Sequence, residues 1–362
     1  MSGRLDRLRA VLAEQNLDGF IVTDFSNRFY LSGYSAHDHA PNELAGVVSI
    51  GPTQAAVFTS PNNTEWAASE APGFEVRPWK RPWTTTVAER ILGYGWKRVG
   101  FEDDAMLVST HQELSNSLAG KSELVSTRGL IDRLRRVKEA DELALLERAL
   151  RLTDEVFTST VAVLEPGMTE REIAWMTEKA FRDAGAEGAA FPTSVASGPH
   201  ASRPHHRPDD RQIREGEPIT IDMGARVAGY NGDLTRTVWL GEPDVRLRAV
   251  YNVVSEAQAA ALAGLCPGMT GKDGDALARR ITEAAGHKDH FLHGLGHGLG
   301  VRVHEGPSLS ATSSDVLQLG EVVTVEPGLY IPGWGGVRLE DVVVITAGGC
   351  RNLTTAPKLP PL

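Results

Sequence analysis

Two stretches of the chain are nearly the same sentence, GEPITIDMG at residues 216–224 and GEVVTVEPG at residues 320–328, 104 positions apart. The acid that ends each strand changes identity, from Asp222 to Glu326. Side chains alternate faces along a strand. Ile219 and Ile221 therefore point into a core while Thr220 and Asp222 point the other way. Val323 and Val325 stand against Thr324 and Glu326 in the same manner. Two acids thus occupy equivalent, non-core faces of equivalent strands.

The repetition extends outward. LEPGMT at 164–169 recurs as LCPGMT at 265–270, an offset of 101, and each copy precedes a helix-like stretch. In the first copy Thr169 and Glu172 have capping-box spacing. Each helix leads to a phenylalanine, Phe191 or Phe291, and then to a loop rich in glycine or histidine. PGMT alone is a common turn. Three landmarks in one order imply a duplicated unit of about 100 residues, packed as a pseudo-symmetric domain with its strands meeting at a shared centre.

Each repeated strand is followed by a turn and a returning strand with a second acid. Asp233 lies eleven residues after Asp222, and Glu340 fourteen after Glu326. The intervening NG and GWGG are hairpin turns. Two such hairpins bring four carboxylates to one place. Unit charges about 4 Å apart repel by about 4 kcal/mol in a protein-like dielectric, so protons or cations must sit among them. FLHGLGHGLGVRVHEGP, residues 291–307, adds His293, His297 and His304. Four oxygen ligands and one imidazole suit a two-metal centre, and Mn, Co, Zn or Fe would each fit. His297, in the most glycine-crowded segment, is the candidate ligand. His293 and His304 have structural roles as an equal alternative. Singly, each acid has an ordinary reading: a strand-end cap for Asp222, a turn for Glu326 and Asp233, a salt bridge with Arg338 for Glu340. Four acids on matched hairpins favour the joint reading.

The chain has 362 residues and a net charge of −10, which speaks against nucleic acid or an anionic membrane as partner. Its two cysteines, Cys266 and Cys350, have no metal or redox spacing and suit a reducing, cytoplasmic setting. The N-terminus has charges every few residues, unlike a signal peptide, and no apolar run is long enough for a membrane span. The length favours two domains, placed at 1–130 and 131–362. The first alternates a helix over 4–16, strands at 19–24, 45–51 and 55–60, a helix near 86–93 and a strand at 97–101, an α/β unit. Residues 132–163 read as one long helical stretch. GLGHGLG lacks the last glycine of a dinucleotide fingerprint, and PGMTGKDG lacks the phosphate-loop context.

From about residue 138 to 350 the chain resembles the pita-bread metallopeptidases of family M24: methionine aminopeptidase, aminopeptidase P and prolidase. The strings D-x-T-R-T, G-H-G-x-G, V-E-P-G and R-x-E-D carry the resemblance, in that order. The N-terminal third resembles the smaller domain of the proline-specific and creatinase branch, which methionine aminopeptidases usually lack. The resemblance implies a two-domain α/β chain: a creatinase-like N-terminal domain and a pseudo-symmetric α+β catalytic domain. It implies two divalent ions, manganese first, held by Asp222, Asp233, His297, Glu326 and Glu340, with Asp233 and Glu340 bridging. A water activated between the ions would attack, with Glu326 passing its proton to the leaving nitrogen. His205, directly after Pro204, and His304 would hold the scissile carbonyl and substrate backbone, with His206 as rival to His205. His293 would line the pocket, Arg338 would orient Asp222, and Tyr330 would face the site. A homodimer is implied likewise.

Prolidases of this family generally carry an Arg shortly after the histidine matching His304, where it binds the proline carboxylate. Residues 305–320, EGPSLSATSSDVLQLG, contain no Arg or Lys, and Ser308 stands near that place. The expectation is therefore aminopeptidase P-like removal of the residue before proline from longer peptides, with Xaa-Pro dipeptidase as the alternative. Lys80 and Arg81 between Trp79 and Trp83, or the HDH of 37–39, are candidate sources of a missing cation, though an exposed loop is the plainer reading of both. A metal-free creatinase-like hydrolase and a non-catalytic binding protein remain as other classes. Both would show broken ligands, and here all five are intact.

Overall fold

The computed structural model describes residues 2–358. The chain divides into two compact units, Met1–Arg135 and Arg136–Leu362.

The first unit contains α1 (Ser2–Glu14), β1 (Gly19–Val22), α2 (Phe25–Ser32), β2 (Gly46–Ile50), β3 (Ala55–Thr59), α3 (Thr64–Glu70), β4 (Glu75–Pro78), α4 (Trp83–Tyr94), β5 (Arg98–Glu102), α5 (Val108–Leu118) and β6 (Glu123–Thr127). Its six strands form one mixed sheet in the order β4-β3-β2-β1-β5-β6. The central strands β1 and β2 are buried along their whole length, as expected of strands covered on both faces. Glu102 at the end of β5 accepts hydrogen bonds from the Thr23 and Asp24 amides at 2.7 and 2.9 Å, tying the exit of β1 to the start of α2.

Helix α6 (Leu130–Arg136) begins where the expected 130/131 boundary fell. Leu130, Ile131 and Leu134 pack into the first unit's core, so that unit extends to Arg135. The single helix expected over 132–163 is two. After α6 the chain extends, with Val137 bridging Glu321, and α7 (Ala140–Val161) starts afresh. Glu142 accepts from the Glu139 amide at 3.0 Å, a capping contact within KEADE that marks the restart.

The second unit continues with α8 (Glu170–Asp183), β7 (Gly188–Ala189), β8 (Ser194–Ser197), β9 (Ile219–Met223), β10 (Ala225–Val227), β11 (Tyr230–Asn231) and β12 (Leu234–Val238). Its other half holds α9 (Val245–Gly264), α10 (Gly271–Ala284), β13 (Gly296–Gly298), β14 (Glu305–Leu309), β15 (Val322–Val325), β16 (Gly328–Ile331), β17 (Gly335–Arg338), β18 (Asp341–Thr346) and β19 (Gly349–Asn352). The duplication is visible throughout. Thr169 and Thr270 cap α8 and α10, each accepting an amide at 3.1 Å. Both also form an isolated bridge, to Gln212 and Val316. The longer helices α7 and α9 precede them in both halves, a part of the repeat that the two sequences do not share visibly. Gly216 and Gly320 open the two repeated strands with φ of 74° and 84°, which explains why both copies begin with glycine.

Each half has its own core. Leu152, Phe157, Phe181 and Ile221 lie in one, and Val254, Leu295, Val325 and Val343 in the other. The antiparallel sheets β12-β9-β8 and β14-β13-β15-β18-β19 carry the acids. Thr235 and Glu340 join the halves: the Glu340 amide donates to the Thr235 carbonyl at 3.0 Å, and Thr235 Oγ to Glu340 Oε2 at 2.7 Å. Among the described residues no helix is long and apolar enough to cross a membrane.

Candidate metal centre

Asp222 is in β9, Asp233 immediately precedes β12, Glu326 follows β15 and Glu340 precedes β18. Pairing of Asp222 with Thr235, and of Val325 with Asp341, brings these four strand ends together. His297 is the middle residue of β13. The glycines beside it are required by close packing: a Cβ at Gly296 would lie 2.0 Å from the Thr324 carbonyl, and one at Gly298 2.1 Å from that of Gly306. The two hairpins are not strict copies. Extending the β15–β18 register by one residue sets Glu326 against Glu340, whereas Asp222 faces Thr235 and Asp233 lies two positions further on.

All five residues line a single cleft of about 760 Å³, together with His205, His206, His293, His304 and Arg338. Ligand atoms of Asp233, His297 and Glu340 lie within 4.8 Å of one another. His297 Nδ1 is 3.0 Å from the Gly298 carbonyl, so a proton on Nδ1 is held there. Nε2 then faces Glu326 Oε1 at 3.2 Å and Asp233 Oδ2 at 3.8 Å. A lone pair aimed at two carboxylates calls for a proton or a cation between them.

The electrostatics agree with that demand. Burial, and then the charges of Glu340, Asp222 and Glu326, raise the Asp233 carboxyl well above its ordinary value. Burial, with Glu326 and Asp222 adding to it, pushes Glu340 up to about 8. Burial also raises Asp222, against the pull of Arg338. Burial works against the charged forms of His297 and Glu326 too, but their mutual contact overrides it, taking His297 to about 9 and Glu326 to about 2. The donor set, the fixed imidazole tautomer and the crowded carboxylates all fit divalent cations.

A pH dependence of stability follows for the metal-free protein. An acid whose folded pKa is raised binds more protons folded than unfolded, so stability is lost as pH rises toward the folded value. Asp233 and Glu340 act in this sense, and so does His297, whose folded value is also raised. Glu326 acts oppositely, but only below its unfolded value. The melting temperature of chelated protein is expected to fall between about pH 5 and about pH 9, and divalent metal to flatten the slope. A metal-free profile that is level or rises would contradict the clustering of these charges.

Around the acids lies a buried support. Arg338 Nη2 donates to Asp222 Oδ2 at 2.6 Å, Nε to Thr235 Oγ at 3.0 Å and Nη1 to Tyr330 Oη at 2.9 Å. Tyr330 Oη is also 2.9 Å from His293 Nε2, while His293 Nδ1 is 2.7 Å from the Gly294 carbonyl. Tyr330 is buried and does not line the cleft; it stands behind the wall between Arg338 and His293, and burial pushes its hydroxyl up to about 12. Thr324 Oγ donates to Glu326 Oε1 at 3.0 Å and accepts from the His297 amide at 3.0 Å. Arg236 is fully buried, with its guanidinium 2.8 Å from Asp341 Oδ1 and donating to the Glu340 carbonyl. Thr235, Arg236 and Thr324 sit inside the motifs that marked the site, but their roles depend on partners about 27 to 105 residues away.

His205 and His304 both line the cleft and are exposed, and the His304 ring lies 4.2 Å from that of His297. The rivalry between His205 and His206 has a geometric answer. His206 is buried, with Nε2 2.7 Å from Glu170, whereas His205 makes no hydrogen bond among the described residues. Glu170 also accepts from the amide and hydroxyl of Ser197, both at 2.7 Å, and lies 3.1 Å from His200 Nδ1. With Asp209 these residues form a second cluster of metal-ligand types. Its carboxylate is already satisfied by hydrogen bonds, and the cluster pins the loop bearing His205.

Residues 144–347 match the model of metallopeptidase family M24, and residues 4–137 that of the creatinase/prolidase N-terminal domain. The chain belongs to metallopeptidase family M24. This M24 hydrolase is 33% identical to an Xaa-Pro dipeptidase of Pyrococcus furiosus, over 98% of each chain. A solved Xaa-Pro dipeptidase from Bacillus anthracis superposes with a TM-score of 0.93 at 34% identity, covering 99% of each chain. An X-Pro aminopeptidase from Thermotoga maritima does so with a TM-score of 0.91 at 32% identity, covering 98% of each.

Proposed function

We propose that this M24 peptidase hydrolyses the Xaa–Pro bond with two divalent ions, manganese first, and that dipeptides are its preferred substrates. The observation that carries the reading is the convergence of Asp222, Asp233, His297, Glu326 and Glu340 on one cleft also lined by His205, His293 and His304. Asp233 and Glu340 would serve both ions, Asp222 one, and His297 and Glu326 the other. Bound there, the ions would supply Lewis acidity and a water acidic enough to lose its proton near neutral pH. Glu326 Oε1 accepts from Thr324, and the carboxylate would take a proton and return it to the leaving proline nitrogen. His205 and His304 hold the scissile carbonyl and the substrate backbone. Arg338 orients the Asp222 carboxylate and favours its charged form against the effect of burial. The prolyl nitrogen has no N–H, so recognition here rests on the carbonyl and on pocket shape.

The relatives named as Xaa-Pro dipeptidases support dipeptides over the longer substrates that the cation-free 305–320 segment favoured. That segment and the likeness to the Thermotoga X-Pro aminopeptidase support a second reading, removal of the residue before proline from longer peptides. Manganese-loaded protein is expected to cleave Gly-Pro faster than Gly-Pro-Pro, with both rates lost on chelation. Release of glycine from the tripeptide alone would move the second reading ahead. No cleavage of either peptide would return creatinase-like and non-catalytic functions to the front.

A further inference from the structure

A dipeptide ends in a carboxylate one residue beyond the scissile bond. In a cleft walled by four acids that anion needs a cation, and the 305–320 segment offers only Ser308 and Ser310 at the wall. Two permanently charged cations line the cleft among the described residues, Arg207 and Arg338. Arg338 is buried and closed by Asp222, Tyr330 and Thr235. Arg207 is exposed and has no hydrogen-bond or ion-pair partner among the described residues. The acids next to it are engaged elsewhere: Asp209 accepts from the Arg211 amide at 2.8 Å, and Asp210 lies 3.4 Å from Arg171.

The backbone that carries Arg207 is held on both sides. On one, Ser194 Oγ donates to the His206 carbonyl at 2.8 Å, and the His206 ring is anchored to Glu170. On the other, Pro208 restricts the chain, and the Arg171 amide donates to the Asp209 carbonyl at 3.1 Å. A free guanidinium on a pinned loop, two residues from His205, meets the requirement of a carboxylate clamp. Its planar fork can hold a carboxylate by two parallel hydrogen bonds.

We propose that Arg207 binds the C-terminal carboxylate of Xaa-Pro dipeptides, in place of a cation in the 305–320 segment, and so sets the preference for dipeptides. The assignment rests on the Xaa-Pro reading above. It explains how a chain without a cation in 305–320 can still select a dipeptide.

The test compares Ala-Pro with Ala-Pro-amide on manganese-loaded full-length wild type, Arg207→Gln and Arg207→Lys. The amide keeps the scissile bond and removes the terminal charge. Wild type should favour Ala-Pro, and Arg207→Gln should lower the dipeptide-to-amide ratio of kcat/KM about ten-fold, chiefly through the KM for Ala-Pro. Arg207→Lys should recover part of the ratio. A ratio that Arg207→Gln leaves unmoved, with wild type active on Ala-Pro, would overturn the role of Arg207 alone. Wild type inactive on both substrates would overturn the Xaa-Pro reading and this assignment with it.

Discussion

Asp233→Asn is expected to lower kcat/KM by about three orders of magnitude or more and to reduce bound metal, while the protein stays folded. Asparagine keeps the side-chain shape but cannot supply a charged oxygen to each of two ions. The folded state should not suffer, because Asp233 is a buried carboxylate beside Glu340, Asp222 and Glu326. Removing its charge relieves repulsion in the metal-free chain. Metal-free Asp233→Asn should therefore melt no lower than metal-free wild type, and near pH 8 it should melt higher. Added metal should then stabilise wild type more than the variant. Kinetics, elemental analysis and melting together distinguish a lost ligand from a lost fold. Full activity in the variant would remove Asp233 from the centre.

Glu326→Gln is expected to reduce kcat by about a hundred-fold to ten-thousand-fold with little change in KM. Glutamine can still accept from Thr324 through its amide oxygen, but it cannot take and return a proton. Metal content should fall less than in Asp233→Asn, since Glu326 is proposed to serve one ion and Asp233 both. A loss confined to KM would assign Glu326 to substrate binding instead of proton transfer.

Much of the centre was legible because it is written locally. The two GE-x-x-T-x-[DE]-x-G strands announce themselves by alternation, and their acids fall on the non-core face whatever the rest of the chain does. The second hairpin was legible from GWGG, which begins in the turn between β16 and β17. The first turns instead at Ala228 and Gly229, with φ of 47° and 78°, and Asn231 of the expected NG turn is already in β11, opposite Arg226. The register within the hairpins was not legible. Thr235, not an acid, stands opposite Asp222, and that depends on how β12 pairs with β9. The break at 137–139 was hidden because mixed charges with apolar residues at helical spacing run through it. Pairing of Val137 with Glu321, far away in sequence, decides it. The resemblance implies a Tyr330 that faces the site, but its hydroxyl is engaged by Arg338 and His293 behind the wall. Glu170 is the first residue of α8, where an acid is unremarkable. Its role arises only when Ser197, His200 and His206 fold back onto it. Arg207 reaches the cleft from a segment far from His304 in sequence, because the cleft draws its walls from both halves of the repeat.

The most direct measurement is a manganese titration of chelator-stripped protein, following Gly-Pro hydrolysis and bound metal per chain on the same samples. Activity should be absent from the stripped protein and return as the metal content rises toward two ions per chain. Undiminished hydrolysis in protein shown to hold no metal would contradict the assignment of Asp222, Asp233, His297, Glu326 and Glu340 to a metal centre.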